Sequence, residues 1–143
     1  MWVILSLLAS LFWGILYVLR GQIYSKISIY TSIAISAFFV FVVALIISLS
    51  SGSFGKDLST IASSRQVLLY VVSAMVILLL AEIFIASSIV AKNATLAGLI
   101  EISYPIFIAL FSYILYKSQV SWGTIVGSVF IFLGIFVVYY FNK

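Results

Sequence analysis

Two carboxylates, Glu82 and Glu101, are the side chains in this sequence best able to do chemistry, because both lie inside long hydrophobic runs. A charged group at membrane depth costs about 2.5–3.5 kcal/mol even on insertion scales, so it is rarely kept without a use. Pro105, the only proline of the chain, lies four residues after Glu101. Because proline has no N–H, the carbonyl of Glu101 loses its helical partner, which predicts a kink beside the carboxylate.

Small and polar residues share one helical face with Glu101. They follow one another at steps of three or four: Ala94, Gly98, Glu101, Pro105, Ala109 and Ser112. The remaining faces carry bulky apolar residues: Leu96, Ile100, Tyr104, Phe107, Phe111 and Ile114. A narrow stripe of this kind is typical of a helix that turns it toward protein or water and its bulk toward lipid.

The candidate residues fall into two groups. The first is expected to line a substrate or proton pathway near the bilayer midplane: Glu101, Glu82, Trp13, Tyr17 and Ser112. The second is expected to bend or pack helices: Pro105, Gly98, Gly123, Gly127 and Gly134. Structural alternatives stay open, because a neutral buried acid can bond a neighbouring helix, Lys92 can reach toward Glu82, and aromatic residues often face lipid.

Composition identifies a membrane protein. The chain has 143 residues, of which 66% are hydrophobic and 7% charged, and its mean hydropathy is +1.38. The net charge of +4 comes from dispersed single residues, so no nucleic-acid partner is expected. Without Cys or His, a zinc site or a Ser-His-Asp hydrolase is close to excluded. No nucleotide-binding glycine loop appears, so pumping driven directly by ATP has no support in this chain. We expect no enzyme, no metal and no cofactor.

Hydropathy predicts an all-α protein with five transmembrane helices. Their approximate ranges are 2–19, 27–49, 67–91, 94–116 and 122–141, within a single domain of residues 1–143. The first is expected to be a retained span and not a signal peptide, since no basic segment precedes it. Residues 50–66 are expected to form a loop at the membrane surface. Every Lys and Arg falls outside the five runs, which supports the count.

Basic residues are balanced between the two faces of the membrane. With five spans, the loops on one side carry Lys56, Arg65 and Lys117, and the other side carries Arg20, Lys26, Lys92 and Lys143. The positive-inside rule needs an asymmetry to act on, and a difference of one residue is nearly none. The chain is therefore expected to insert in both orientations and to form an antiparallel pair.

The chain resembles the EamA-like families of the drug/metabolite transporter superfamily. The segment from Ala94 to Ile100, followed by Tyr104-Pro105-Ile106-Phe107, is similar to that family's small-residue hairpin and its Pro-Val-Phe-type motif. Leu11-Phe12-Trp13-Gly14 is similar to its first-helix signature, and Gly127 and Gly134 match its two glycines in the fifth helix. A Gly-Glu pair usual after the fourth helix is replaced here by Lys117-Ser118.

The resemblance implies export of small metabolites, amino acids or drug-like compounds. Usual members have ten helices in two inverted repeats, so this chain looks like one repeat. We expect a half-size secondary transporter in the cell membrane that works as a homodimer or with another half, with Glu101 as the candidate for proton coupling. The alternative is a non-transporting scaffold or accessory subunit. A four-helix small multidrug transporter is disfavoured, since that family's acid lies in the first helix and residues 1–19 contain none.

Overall fold

The computed structural model describes residues 1–142, which fold into seven helices. They are α1 (Trp2–Ile23), α2 (Ile29–Ser50), α3 (Phe54–Ser63), α4 (Arg65–Ala91), α5 (Ala94–Glu101), α6 (Tyr104–Tyr116) and α7 (Trp122–Phe141). Five segments are long and apolar enough to cross a bilayer: α1, α2, α4, α7, and α5 with α6 taken together as Ala94–Tyr116. The predicted all-α architecture with five spans is confirmed.

The helices group into two compact units. One contains Met1–Gly21 together with the chain from Ser88 onward, and in it α7 contacts both α5 and α6. The other is Gln22–Ser87, in which α2 contacts α3. Among the described residues, only three apolar side chains are buried, Ala86, Ile89 and Ala97. Leu, Ile and Phe side chains therefore cover the outside of the long helices, as expected where lipid is the solvent.

The predicted loop at residues 50–66 contains a helix, α3, so this part of the prediction was wrong. Phe54, Leu58 and Ile61 recur at helical spacing between polar residues, which gives α3 one apolar stripe. Because such a helix has low average hydropathy, a search for long apolar runs passes over it.

The first helix continues past its expected end at residue 19 and places Arg20 inside α1, where it is buried. Arg20, Gly21 and Gln22 lie outside the predicted range and yet belong to the helix, since one glycine costs a helix only about 1 kcal/mol. Gly21 lies close to the start of α5. A Cβ at Gly21 would lie 3.6 Å from the Cβ of Ala94, which is an ordinary van der Waals contact.

The fourth span is broken into two helices at Ile102 and Ser103, where a kink was predicted. Pro105 is in the first turn of α6, where a missing N–H is tolerated. Tighter i→i−3 bonds bridge the break: the Ser103 N–H donates to the Ile100 carbonyl at 3.2 Å, and the Ile106 N–H to the Ser103 carbonyl at 3.0 Å. The proline therefore ends one helix and begins another.

Both outer ends of this broken span are capped. The Asn93 side chain accepts a hydrogen bond from the Leu96 N–H at 2.8 Å at the start of α5, which makes it the N-cap. Lys117 ends α6 with a left-handed backbone, φ 54°. A left-handed residue is common at the C-terminal end of a helix, and glycine is the residue that adopts this conformation without cost.

Candidate functional site

The centre of the candidate site is a contact between α1 and α5. The Tyr17 hydroxyl donates a hydrogen bond to Oε2 of Glu101, and both residues are half-buried. The two residues are 84 positions apart in the sequence. A hydrogen bond to a charged acceptor is roughly twice as strong as one between neutral groups, and stronger still where water is scarce. Tyr17 therefore offers the carboxylate a stabilising donor at membrane depth.

Gly98 makes room for the Tyr17 ring. It lies one turn before Glu101 on α5, and a Cβ added there would be 3.1 Å from Tyr17 Cδ2 and 3.5 Å from Cε2. The first distance is tighter than ordinary carbon–carbon contact at about 3.5–4.0 Å, and the second is at the lower limit of that range. The absence of a side chain at Gly98 thus allows the Tyr17 ring to lie close to α5, where its hydroxyl bonds Glu101.

Aromatic contacts extend from Tyr17 along α1. The Trp13 and Tyr17 rings meet edge to face, with centroids 5.9 Å apart and planes at 77°. The guanidinium carbon of Arg20 lies 6.0 Å from the centroid of the Trp13 ring. This distance is at the limit of a cation–π interaction. Trp13, Tyr17 and Arg20 follow one another at steps of four and three, so one face of α1 carries the whole series.

A cavity of about 520 Å³, partly open to the surroundings, lies beside the Tyr17–Glu101 pair. Residues of α1 and α5 line it together with two that follow α5: Ser10, Trp13, Gly14, Tyr17, Val18, Ala94, Thr95, Gly98, Leu99, Glu101, Ile102 and Tyr104. Its volume is within the range of about 300–1,000 Å³ usual for small-molecule sites. All of the lining residues belong to the first unit.

The structure brings together part of the predicted set. Glu101, Tyr17, Trp13 and Gly98 all line the cavity. Ser112 does not, and its carbonyl instead accepts a hydrogen bond from the Ser118 N–H at 3.3 Å, at the end of α6. Glu82 is half-buried in α4, within the second unit, and is not a lining residue.

The residues that were expected to bend or pack helices also differ in their surroundings. Pro105 lies beyond the lining, at the helix break described above. Cβ atoms added at Gly127 and Gly134 would meet nothing within 4 Å in the described chain, and one added at Gly123 would meet only Ser121 Oγ, at 3.7 Å. The glycine face of α7 is therefore open within a single chain, and its role in packing stays a prediction.

Tyr104 is the lining residue that sequence reasoning assigned to the opposite face. Continuous helical spacing puts Tyr104 among the bulky, lipid-facing residues. The break at Ile102 and Ser103 changes the rotation of the chain, and Tyr104 reaches the cavity although its side chain is 56% exposed. The residue before a proline disfavours helical geometry, and that signal could have predicted the change of phase.

Sequence comparison gives the family. The profile of the EamA-like transporter family matches residues 1–140, which is nearly the whole chain. No curated protein matches the chain, and no solved structure matches it either. Members of this family are transporters and belong to the drug/metabolite transporter superfamily. With five helices able to span a bilayer, the chain is a multi-pass membrane protein of the EamA-like transporter family.

Proposed function

We propose that the chain is a half-size secondary transporter that moves a small metabolite or drug-like solute through the cavity beside Glu101, with that carboxyl carrying the coupled proton. The observation that carries the proposal is the Tyr17–Glu101 hydrogen bond at the wall of a cavity of about 520 Å³. Intramembrane acids mark ion and substrate paths by default, and this one can give up or accept a proton where a solute would bind. The membrane concerned is proposed to be the cell membrane.

Pairing of two chains is part of the proposal. The cavity is partly open, so a second chain could complete its wall. Transporter sites generally lie at the interface between repeats, near the bilayer midplane. The open glycines of α7 offer a surface where two backbones could approach closely, since Gly123 and Gly127 form a G-x-x-x-G pattern. An antiparallel homodimer is the arrangement we favour, given the balance of basic residues.

Solute-driven proton movement in liposomes tests the function. The purified chain is reconstituted with an entrapped pH dye, and amines, neutral metabolites and carboxylic acids are added outside in turn. We expect at least one solute to change the internal pH in parent vesicles and not in Glu101→Gln vesicles. Glutamine keeps the size and a hydrogen-bonding oxygen for Tyr17 but cannot titrate.

Asp57→Asn is the matched control, because it makes the same carboxyl-to-amide change at an exposed position on α3. It should transport like the parent. Equal transport by Glu101→Gln and the parent at every pH would refute proton coupling through Glu101. Failure of every solute would instead favour the accessory-subunit function.

A further inference from the structure

We propose that the Glu101 cavity is a site for a monovalent organic cation, an ammonium group attached to an apolar or aromatic body. The inference rests on the proposed function, because it names the class of solute that the same cavity takes. It is argued from the charge, the walls and the size of the cavity.

The charge of the lining is the first argument. Among the lining residues, all in the described part of the chain, Glu101 is the only acidic side chain and none is basic. A carboxylate in a mostly apolar site needs a partner of opposite charge, and Tyr17 supplies only a neutral donor on Oε2. A ligand ammonium satisfies that need through the second carboxylate oxygen, since each oxygen has its own lone pairs. An anionic ligand would be repelled, and a neutral one would leave the charge unmatched.

The aromatic walls are the second argument. Tyr17 of α1 and Tyr104 at the start of α6 both line the cavity together with Glu101. The face of an aromatic ring attracts a cation by about 0.5–2 kcal/mol, depending on how far water is excluded. Trp13 also lines the cavity, although the Arg20 guanidinium already lies over its ring. The ligand cation is therefore expected between Glu101, Tyr17 and Tyr104.

Arg20 is the positive group to be weighed against a cation site. It is buried and contacts Trp13, but it is not a lining residue. Its guanidinium carbon lies 6.0 Å from the centroid of the Trp13 ring. The apolar lining residues, such as Val18, Leu99 and Ile102, suit an apolar ligand body, and about 520 Å³ leaves room for one aromatic ring with its substituents.

The test compares the binding of phenyltrimethylammonium with that of its neutral isostere, tert-butylbenzene. The two compounds differ in charge and hardly in shape. Binding of each is measured by calorimetry to the full chain in lipid nanodiscs, and empty nanodiscs correct for partition into lipid. We expect the parent to bind the cation about tenfold or more tightly than the isostere. In Glu101→Gln this preference should disappear while affinity for the isostere is unchanged, and Asp57→Asn should keep it.

Tyr104 provides a second test that does not touch the carboxylate. Because its side chain is largely exposed, Tyr104→Leu should be tolerated by the fold, and Tyr104→Phe keeps the ring. We expect cation affinity to fall roughly three- to tenfold in Tyr104→Leu and to change little in Tyr104→Phe. Equal binding of the cation and the isostere, equal cation binding by parent and Glu101→Gln, or no cation binding would each overturn the proposal.

The two proposals fail separately. Glu101-dependent cation binding without any transport in liposomes would refute the transport function and leave the cation site standing. Transport confined to neutral or acidic solutes, with no preference for phenyltrimethylammonium, would refute the cation site and leave the transport function standing.

Discussion

Replacing Gly98 with alanine should damage the site while leaving the fold almost unchanged. The added Cβ would lie 3.1 Å from Tyr17 Cδ2, so the ring must move by a few tenths of an ångström. Overpacking costs about 1–3 kcal/mol in a closed core. The cost here belongs at the lower end, because the half-buried ring borders a cavity into which it can move. Alanine also gains about 1 kcal/mol over glycine inside a helix, so the two effects nearly cancel in stability.

In Gly98→Ala the Tyr17–Glu101 hydrogen bond is expected to weaken, although the stability of the fold hardly changes. A hydrogen bond to a charged group contributes about 1.5–3 kcal/mol. Displacement of the donor ring should forfeit a part of that, roughly 1 kcal/mol, which is about a fivefold change in a binding constant. We therefore expect the free energy of unfolding of Gly98→Ala to lie within about 1 kcal/mol of the parent value. Its transport rate for the most active solute should fall roughly fivefold.

A double-mutant cycle with Tyr17→Phe isolates the cause. Tyr17→Phe removes the hydroxyl, so Gly98→Ala has no hydrogen bond left to weaken in that background. The fold-loss of transport in the double variant should therefore be much smaller than the product of the fold-losses in the two single variants. Gly134→Ala is the control, since a Cβ there meets nothing within 4 Å, and it should transport like the parent. If Gly98→Ala lowered transport by the same factor in the parent and in Tyr17→Phe, the reasoning would be refuted. A loss of transport in Gly134→Ala as large as that in Gly98→Ala would also refute it.

Two further predictions concern assembly and orientation. Gly127→Leu should lower oligomer size and thermal stability in detergent chromatography, because leucine would hold two backbones apart at an open glycine face, whereas Phe130→Leu, at a side chain 69% exposed, should change neither. Unchanged oligomer size in Gly127→Leu would remove that residue from the interface. With a single cysteine introduced as Asn142→Cys, an impermeant thiol reagent should label about half of the protein in intact cells. The rest should be labelled only after the cells are permeabilised, as dual insertion requires. Labelling confined to one face would refute the self-paired antiparallel dimer.

The spans were predictable because they depend only on composition along the chain. Twenty apolar residues cross a bilayer whatever they pack against, and four of the five predicted ranges agree with single helices to within a few residues. The fourth range holds two helices, and its break follows from the missing N–H of Pro105, which the sequence announces. The end of α1 was harder to predict. The sequence predicted that Arg20 lies outside the first span, but the residue belongs to α1 and is buried there.

The members of the site were more predictable than their arrangement. Glu101, Tyr17, Trp13 and Gly98 could be selected by their cost at membrane depth or by their helical face. The pairing of Tyr17 with Glu101 spans 84 positions, and no local pattern carries a contact of that range. Tyr104 was missed because strict helical spacing was extended through a proline. Ser112 was selected by the same extension, and α6 instead places it outside the lining.

Access of water to the cavity tests the central claim, that solutes pass beside Glu101. The sequence contains no cysteine, so single cysteines can be introduced at Ser10, which lines the cavity, and at Phe12, on the same helix but 66% exposed and outside the lining. Both positions lie near the middle of α1. In proteoliposomes, a small charged thiol reagent should modify Ser10→Cys readily and Phe12→Cys far more slowly, and a transported solute should protect Ser10→Cys. Equal rates at the two positions, or no reaction at Ser10→Cys, would contradict a solute pathway through this cavity.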